Sequence, residues 1–176
     1  MKEDKEYDSC WYNKLQFFLF LLAFFTFGIG DTISSVNLIE QKGIMAEGNI
    51  IVRHVILNYG ISNFITIKIS FTMMLLFLPF LLIDNTAYWM ISGYLISFTI
   101  AGTLGTVLNM QATNGVPSLS PEQAIVIFII SVLILTNIGD EIDKKANLKI
   151  RSHFDCMLKD MAIILTYIIN NFKNNK

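Results

Sequence analysis

The chain has 176 residues, 53% of them hydrophobic and 15% charged, with a net charge of −1 and a mean hydropathy of +0.54. A soluble domain of this length could not hide so much apolar surface, so composition excludes that class and predicts an all-α integral membrane protein. Four apolar runs are long enough to cross a hydrocarbon core of about 30 Å, which takes about 20 helical residues each.

Residues 1–14 are charged and then aromatic, ending in Trp11 and Tyr12, as a short tail with an interfacial belt does. Residues 15–39 read as the first span. It begins rich in Phe and Leu and turns polar part-way, at Gly28-Ile-Gly-Asp31 and then Ser34, Ser35 and Asn37. An aspartate at bilayer depth costs roughly 2.5–3.5 kcal/mol even on a lenient scale, so it needs a partner, a watery cavity or a proton. Residues 40–60 are too polar to cross but contain two short Ile/Val clusters, which predicts an interfacial helix on the outer side.

Residues 61–83 form the second expected span, with Pro79 near one end and one charge, Lys68. Residues 84–87 read as a tight turn into a third span at 88–109. In that span Gly93, Ser97, Ala101 and Gly105 recur every four residues, and Asn109 continues the strip. Such strips let helices approach closely, either within one bundle or between copies of the chain in a homo-oligomer. After an outer loop at 111–121 comes the fourth span, 122–139, nearly all Ile, Val, Leu and Phe and expected to face lipid.

The tail, 140–176, is first basic. It then becomes amphipathic, with Phe154, Met157, Leu158, Met161, Leu165, Ile168 and Phe172 at helical spacing opposite Asp155, Lys159 and Asp160. It is short for a fifth span and reads as a surface helix. The expected organisation is therefore a cytoplasmic tail at 1–14, a four-helix transmembrane domain at 15–139, and a cytoplasmic segment at 140–176. Lys and Arg concentrate at the two ends of the chain, which predicts that both termini are cytoplasmic in a cell membrane. Cys10 and Cys156 would then be free thiols on the reducing side, and His153 part of a basic patch facing lipid heads.

Depth arithmetic gathers the candidate site. At about 1.5 Å per residue, Asp31 lies about 12 Å inward from residue 39, and Lys68 about 9 Å inward from residue 62. Ser34 and Ser35 share the face of Asp31, Asn109 reaches the same level, and Glu47, Asn49, Arg53 and His54 are expected to hang above it. Asn49 and Arg53, four apart, read as a surface pair. On one reading this cluster docks helices; on the other it lines an outward-facing cavity for a polar ligand. A nucleophile at Ser34 or Ser35 with Lys68 as base is a third, weaker possibility. Hydrolase, zinc and phosphate-loop motifs are missing from the sequence, and no metal, cofactor or nucleic-acid partner is expected.

The series Asp31-x-x-Ser34-Ser35, Glu47-x-Asn49, Gly60 and Lys68 resembles an uncharacterised family of small archaeal and bacterial multi-pass membrane proteins. That family carries Asp-x-x-Thr-Thr, Glu-x-Asn-Pro and a downstream Gly and Lys. The likeness covers about residues 15–110, with Ser-Ser in place of Thr-Thr and Ile50 in place of proline. It implies that these residues act together and supplies no reaction. The expectation is a non-enzymatic assembly or accessory component in the lipid bilayer. The alternative is a small transporter or lipid-modifying enzyme that uses Asp31 and Lys68.

Overall fold

A helix of mixed register opens the structure, a computed structural model that describes residues 9–82, 87–116 and 119–146. Helix α1 (Ser9–Ala23) runs without a break into a π-helical segment (Phe24–Gly30) and then α2 (Asp31–Lys42). A 3₁₀ turn (Ile44–Ala46) leads to α3 (Ile50–Leu82), followed by α4 (Tyr88–Thr113) and α5 (Pro121–Ala146). The expected amphipathic segment at 154–172, the basic patch at His153, Cys156 and most of the 84–87 turn lie outside the described residues.

Four helical stretches are long and apolar enough to cross a membrane: Lys14–Lys42, Ile50–Leu81, Tyr88–Thr113 and Pro121–Lys145. They match the four expected spans, with four corrections to their limits; the third runs past residue 109 to Thr113, so the expected outer loop at 111–121 begins only after that residue. The first extends past residue 39 to Lys42. The fourth continues past Gly139 to Ala146, so the start of the expected tail is the end of α5. The segment at 40–60 is no single interfacial helix: its first residues belong to α2, and residues 50–59 are helical and join the second span at a kink.

That kink is Gly60, at φ 81° and ψ 167°, a region open essentially to glycine alone. Nothing lies within 4 Å of where its Cβ would stand, so a side chain there meets strain and no clash. Gly60→Ala is expected to cost about 1–3 kcal/mol of stability in denaturant titration, all of it from the backbone. The short helix before the kink is held by Ile56, which packs with Ile39 of α2 and Phe64 beyond the kink.

Helix α4 is the centre of the bundle. It runs parallel to α1 and α2, with Gln16 beside Tyr88 at one end and Ser34 beside Asn109 at the other. It runs antiparallel to α5, where Gly93 meets the backbone of Leu135 and Gly139 that of Trp89. The main core joins Ala23, Leu76, Ile91, Leu95 and Phe98. Phe98 sits between Phe27 and Phe128, both edge-on with centroids 5.1 Å away, so one aromatic column ties the π-segment, α4 and α5 together. Helix α5 is the least buried span, as expected of its uniformly aliphatic sequence.

The small-residue strip of α4 is spent inside the chain. Gly93 and Ser97 are buried, Gly93 lies against α5, and Gly105 gives Asp31 its room. An interface between copies through Gly93, Ser97, Ala101 and Gly105 would have to displace those contacts.

Pro79 interrupts α3 and has no N–H to give the carbonyl one turn earlier, that of Leu75. The Tyr94 hydroxyl of α4 donates to that same carbonyl at 3.0 Å. A backbone acceptor orphaned by proline is thus satisfied by a neighbouring helix. Tyr94→Phe is expected to cost about 1–3 kcal/mol of stability, the penalty for leaving a partly buried acceptor unpaired. In a Pro79→Ala background, where residue 79 supplies its own N–H, the same change should cost markedly less in the same unfolding assay.

Candidate functional site

The polar cluster begins where the π-segment ends. In that segment each N–H reaches back five residues, as the Asp31 N–H does to the Thr26 carbonyl. Buried positions accordingly step by seven from Gln16 to Ala23, by five from Ala23 to Gly28 and by four to Thr32, beyond which Ser34 and Ser35 are both buried. The long step rotates the polar second half of the span so that its buried face meets α3 and α4. Threonines flank it: Thr26 donates to the carbonyls of Leu22 and Ala23, and Thr32 to that of Gly28.

Asp31 then meets Lys68 of α3, whose Nζ donates to Oδ2 at 2.7 Å. The two side chains are only 16% and 18% exposed, so the pair is shielded on most sides. The ammonium also stands 5.5 Å from the centre of the Phe64 ring, within cation–π range. The second carboxylate oxygen, Oδ1, accepts from Asn109 Nδ2 at 3.2 Å. The same amide nitrogen lies 3.0 Å from the hydroxyls of both Ser34 and Ser35. An amide has two hydrogens, so these three acceptors share them. Turning the amide over would set its oxygen against Asp31 Oδ1, so the carboxylate fixes its orientation. Ser34 donates its own hydrogen to the Asp31 carbonyl at 3.1 Å, leaving its lone pairs for Asn109. A Cβ at position 105 would come within 2.5 Å of Asp31 Oδ1, so the carboxylate occupies the space that Gly105 leaves.

Of the seven residues expected to meet, five do: Asp31, Ser34, Ser35, Lys68 and Asn109. Glu47 and Asn49 do not. They build the loop between α2 and α3, where buried Glu47 accepts from the Asn49 N–H at 2.9 Å. Asn49 Oδ1 accepts from the N–H groups of Ile51 and Val52, which makes it the N-cap of α3 and Ile50 the first helical residue. Arg53 does not pair with the Asn49 side chain. Its guanidinium holds the loop through the Glu47 carbonyl, at 2.6 Å and 3.2 Å, and the Met45 carbonyl at 3.4 Å. His54 meets Asn58 at 3.1 Å on an exposed face. These short side chains are consumed by their own loop, which depth arithmetic along a helix cannot anticipate.

The serine–lysine arrangement is not assembled either, for Lys68 gives its ammonium to Asp31 and makes no hydrogen bond to Ser34 or Ser35. Among the described residues, no cluster of three or more His, Cys, Asp or Glu residues is placed to hold a metal.

Two polar positions with structural roles, and a third that is buried without a partner, were not singled out from the sequence. Asp143 accepts from the N–H groups of Trp89 and Met90 at 3.0 Å and 2.9 Å, so α5 caps the first turn of α4. Its sequence signal was the four-residue step from Gly139, which puts both on one face. Gln16, alone among Phe and Leu, is buried and donates to the Tyr88 carbonyl at 2.8 Å. Thr72, one turn along α3 from Lys68, is 1% exposed and its hydroxyl has no partner.

Compared with known proteins, the chain matches no family model, and no curated protein or solved structure resembles it significantly. Its function is therefore argued from the site alone.

Proposed function

We propose that this protein is a non-enzymatic assembly or accessory component of the cell membrane, in which the Asp31–Lys68–Asn109 cluster sets the register of its helices. The observation that carries this reading is that both Asp31 oxygens are already engaged, each by a side chain from a different helix. A carboxylate so satisfied has its charge and lone pairs committed to the fold, and a fixed polar cluster is a known way to specify one helix arrangement. Lys and Arg at both ends of the chain favour cytoplasmic termini, and this orientation puts the cluster in the outer half of the bilayer. In that arrangement the helix at 50–59, with Ile50, Ile51 and Tyr59 exposed, lies along the outer interface.

The test is a charge exchange. Asp31→Lys and Lys68→Asp are each expected to lower expression and thermal stability, and the two together to recover most of the loss. If the double variant is no better than the worse single one, while Asp31→Asn folds normally, the cluster serves a ligand and the docking reading is wrong.

A further inference from the structure

We propose that residues 44–59 form a hinged flap that closes over the Asp31–Lys68 ion pair and controls how readily water reaches it. The inference holds whether that pair docks helices or serves a ligand. A glycine stands at each end of the segment, and the two share one conformation: φ 84° and ψ 164° at Gly43, φ 81° and ψ 167° at Gly60. Neither has a neighbour within 4 Å of where a Cβ would stand, so both turn in open space. A hinge needs residues at the ends of an element that absorb a large φ/ψ change, and glycine absorbs it at least cost.

Between the hinges the segment is braced as one body. Asn49 caps its helix through the Ile51 and Val52 N–H groups, and the Arg53 guanidinium returns to the Glu47 and Met45 carbonyls. Outward ties are of another kind. Among the described residues, no hydrogen bond or ion pair joins 44–59 to α2, α4 or α5. Across the Gly60 hinge, Asn63 Nδ2 donates to the Tyr59 carbonyl at 2.8 Å on an exposed face, where water can replace it. What holds the flap down is apolar: Gly48 against the Pro121 ring at the start of α5, and Ile56 against Ile39 and Phe64. Phe64 is 3% exposed and its ring centre stands 5.5 Å from the Lys68 ammonium, so this ring is the layer between Ile56 and the ion pair. Swinging the segment on its glycines uncovers Phe64 and breaks no bond inside the flap, which makes it a low-cost local opening. Water that arrives is bound: of the three donors on the ammonium, Asp31 takes one.

An engineered latch tests this in the full chain, reconstituted in phosphatidylcholine nanodiscs with both faces open to water. A Cβ at Gly48 would stand 3.8 Å from the Pro121 Cβ, the spacing found in disulfides. Gly48→Cys with Pro121→Cys, in a Cys10→Ser, Cys156→Ser background, therefore bridges the flap to α5. Access is read as the rate at which a water-soluble succinimidyl ester acetylates Lys68, by mass spectrometry, with exposed Lys42 as internal standard. Oxidising the latch is expected to slow Lys68 about tenfold relative to Lys42, and reduction to restore it. Without the latch, Ile56→Ser should speed Lys68 about tenfold by removing an apolar anchor. Ile50→Ser, at a position 76% exposed on the same helix, should leave the rate unchanged. A latched chain whose Lys68 reacts as fast as in the reduced one would overturn the proposal. So would a 48–121 pair that never bridges, because the flap then does not rest on α5, or equal rates for Ile56→Ser and Ile50→Ser.

Discussion

Replacing Asp31 with leucine is expected to destabilise the protein by about 3 kcal/mol, the low end of what is lost when one partner of a buried ion pair is removed. The loss comes from what stays behind. Lys68, 16% exposed, keeps its charge next to the Phe64 ring with its carboxylate gone, and Asn109 loses one of three acceptors. Lys68→Met should cost a similar amount, because it leaves the carboxylate in the same low-dielectric surroundings. The double variant Asp31→Leu, Lys68→Met removes both charges and is expected within about 1 kcal/mol of the parent, since an apolar pair of similar volume usually replaces a buried ion pair at little cost. Asn109 would still hold Ser34 and Ser35 at 3.0 Å and so keep α4 on α2. A double-mutant cycle from denaturant titration in one fixed micelle system measures the coupling. A double variant that loses as much as the two single ones added would show that the charges do not act through each other.

How much of this was legible in the sequence depends on the range over which each signal acts. Spans show up because hydropathy sums over about 20 residues and one misplaced residue hardly moves it. The meeting of Asp31 with Lys68 was legible for a related reason: rise per residue fixes depth, and a charge inside lipid must be matched at its own depth. Which way each side chain turns is a finer matter. Depth arithmetic assumes one helical period, whereas the π-segment inserts a longer step and rotates the face that carries Asp31, Thr32 and Ser35. Nothing in Phe24-Phe-Thr-Phe-Gly-Ile-Gly30 fixes that register by propensity alone; packing against Phe98 and Gly102 of α4 accompanies it. Glu47 and Asn49 were misplaced for the converse reason. Their partners are backbone groups two and three residues away, and a local cap of that kind wins over a distant cluster because closing it costs almost no chain entropy.

Gly93→Ala and Gly139→Ala are each expected to cost about 1–3 kcal/mol, more than a methyl group would suggest, because what stands in its way is backbone. A Cβ at 93 meets the Leu135 carbonyl, and one at 139 meets the Trp89 carbonyl. Where a flexible side chain would turn aside, here the helix axes must separate. Separation is costly in lipid, where no hydrophobic force pulls helices back together and close van der Waals contact supplies most of the attraction. In antiparallel α4 and α5 the two contacts lie one turn apart, so the first alanine opens the gap that the second needs. The double variant should therefore lose about 1 kcal/mol less than the sum of the single ones. A second readout separates this from general loosening. Asp143 caps the N–H groups of Trp89 and Met90 from the same face of α5 that carries Gly139. Moving α5 outward breaks that cap, so amide exchange at residues 89 and 90 should rise well before exchange in the α4 core around Leu95. Additive losses with unchanged exchange at those two amides would show that the helices yield by bending locally, with α5 still in place.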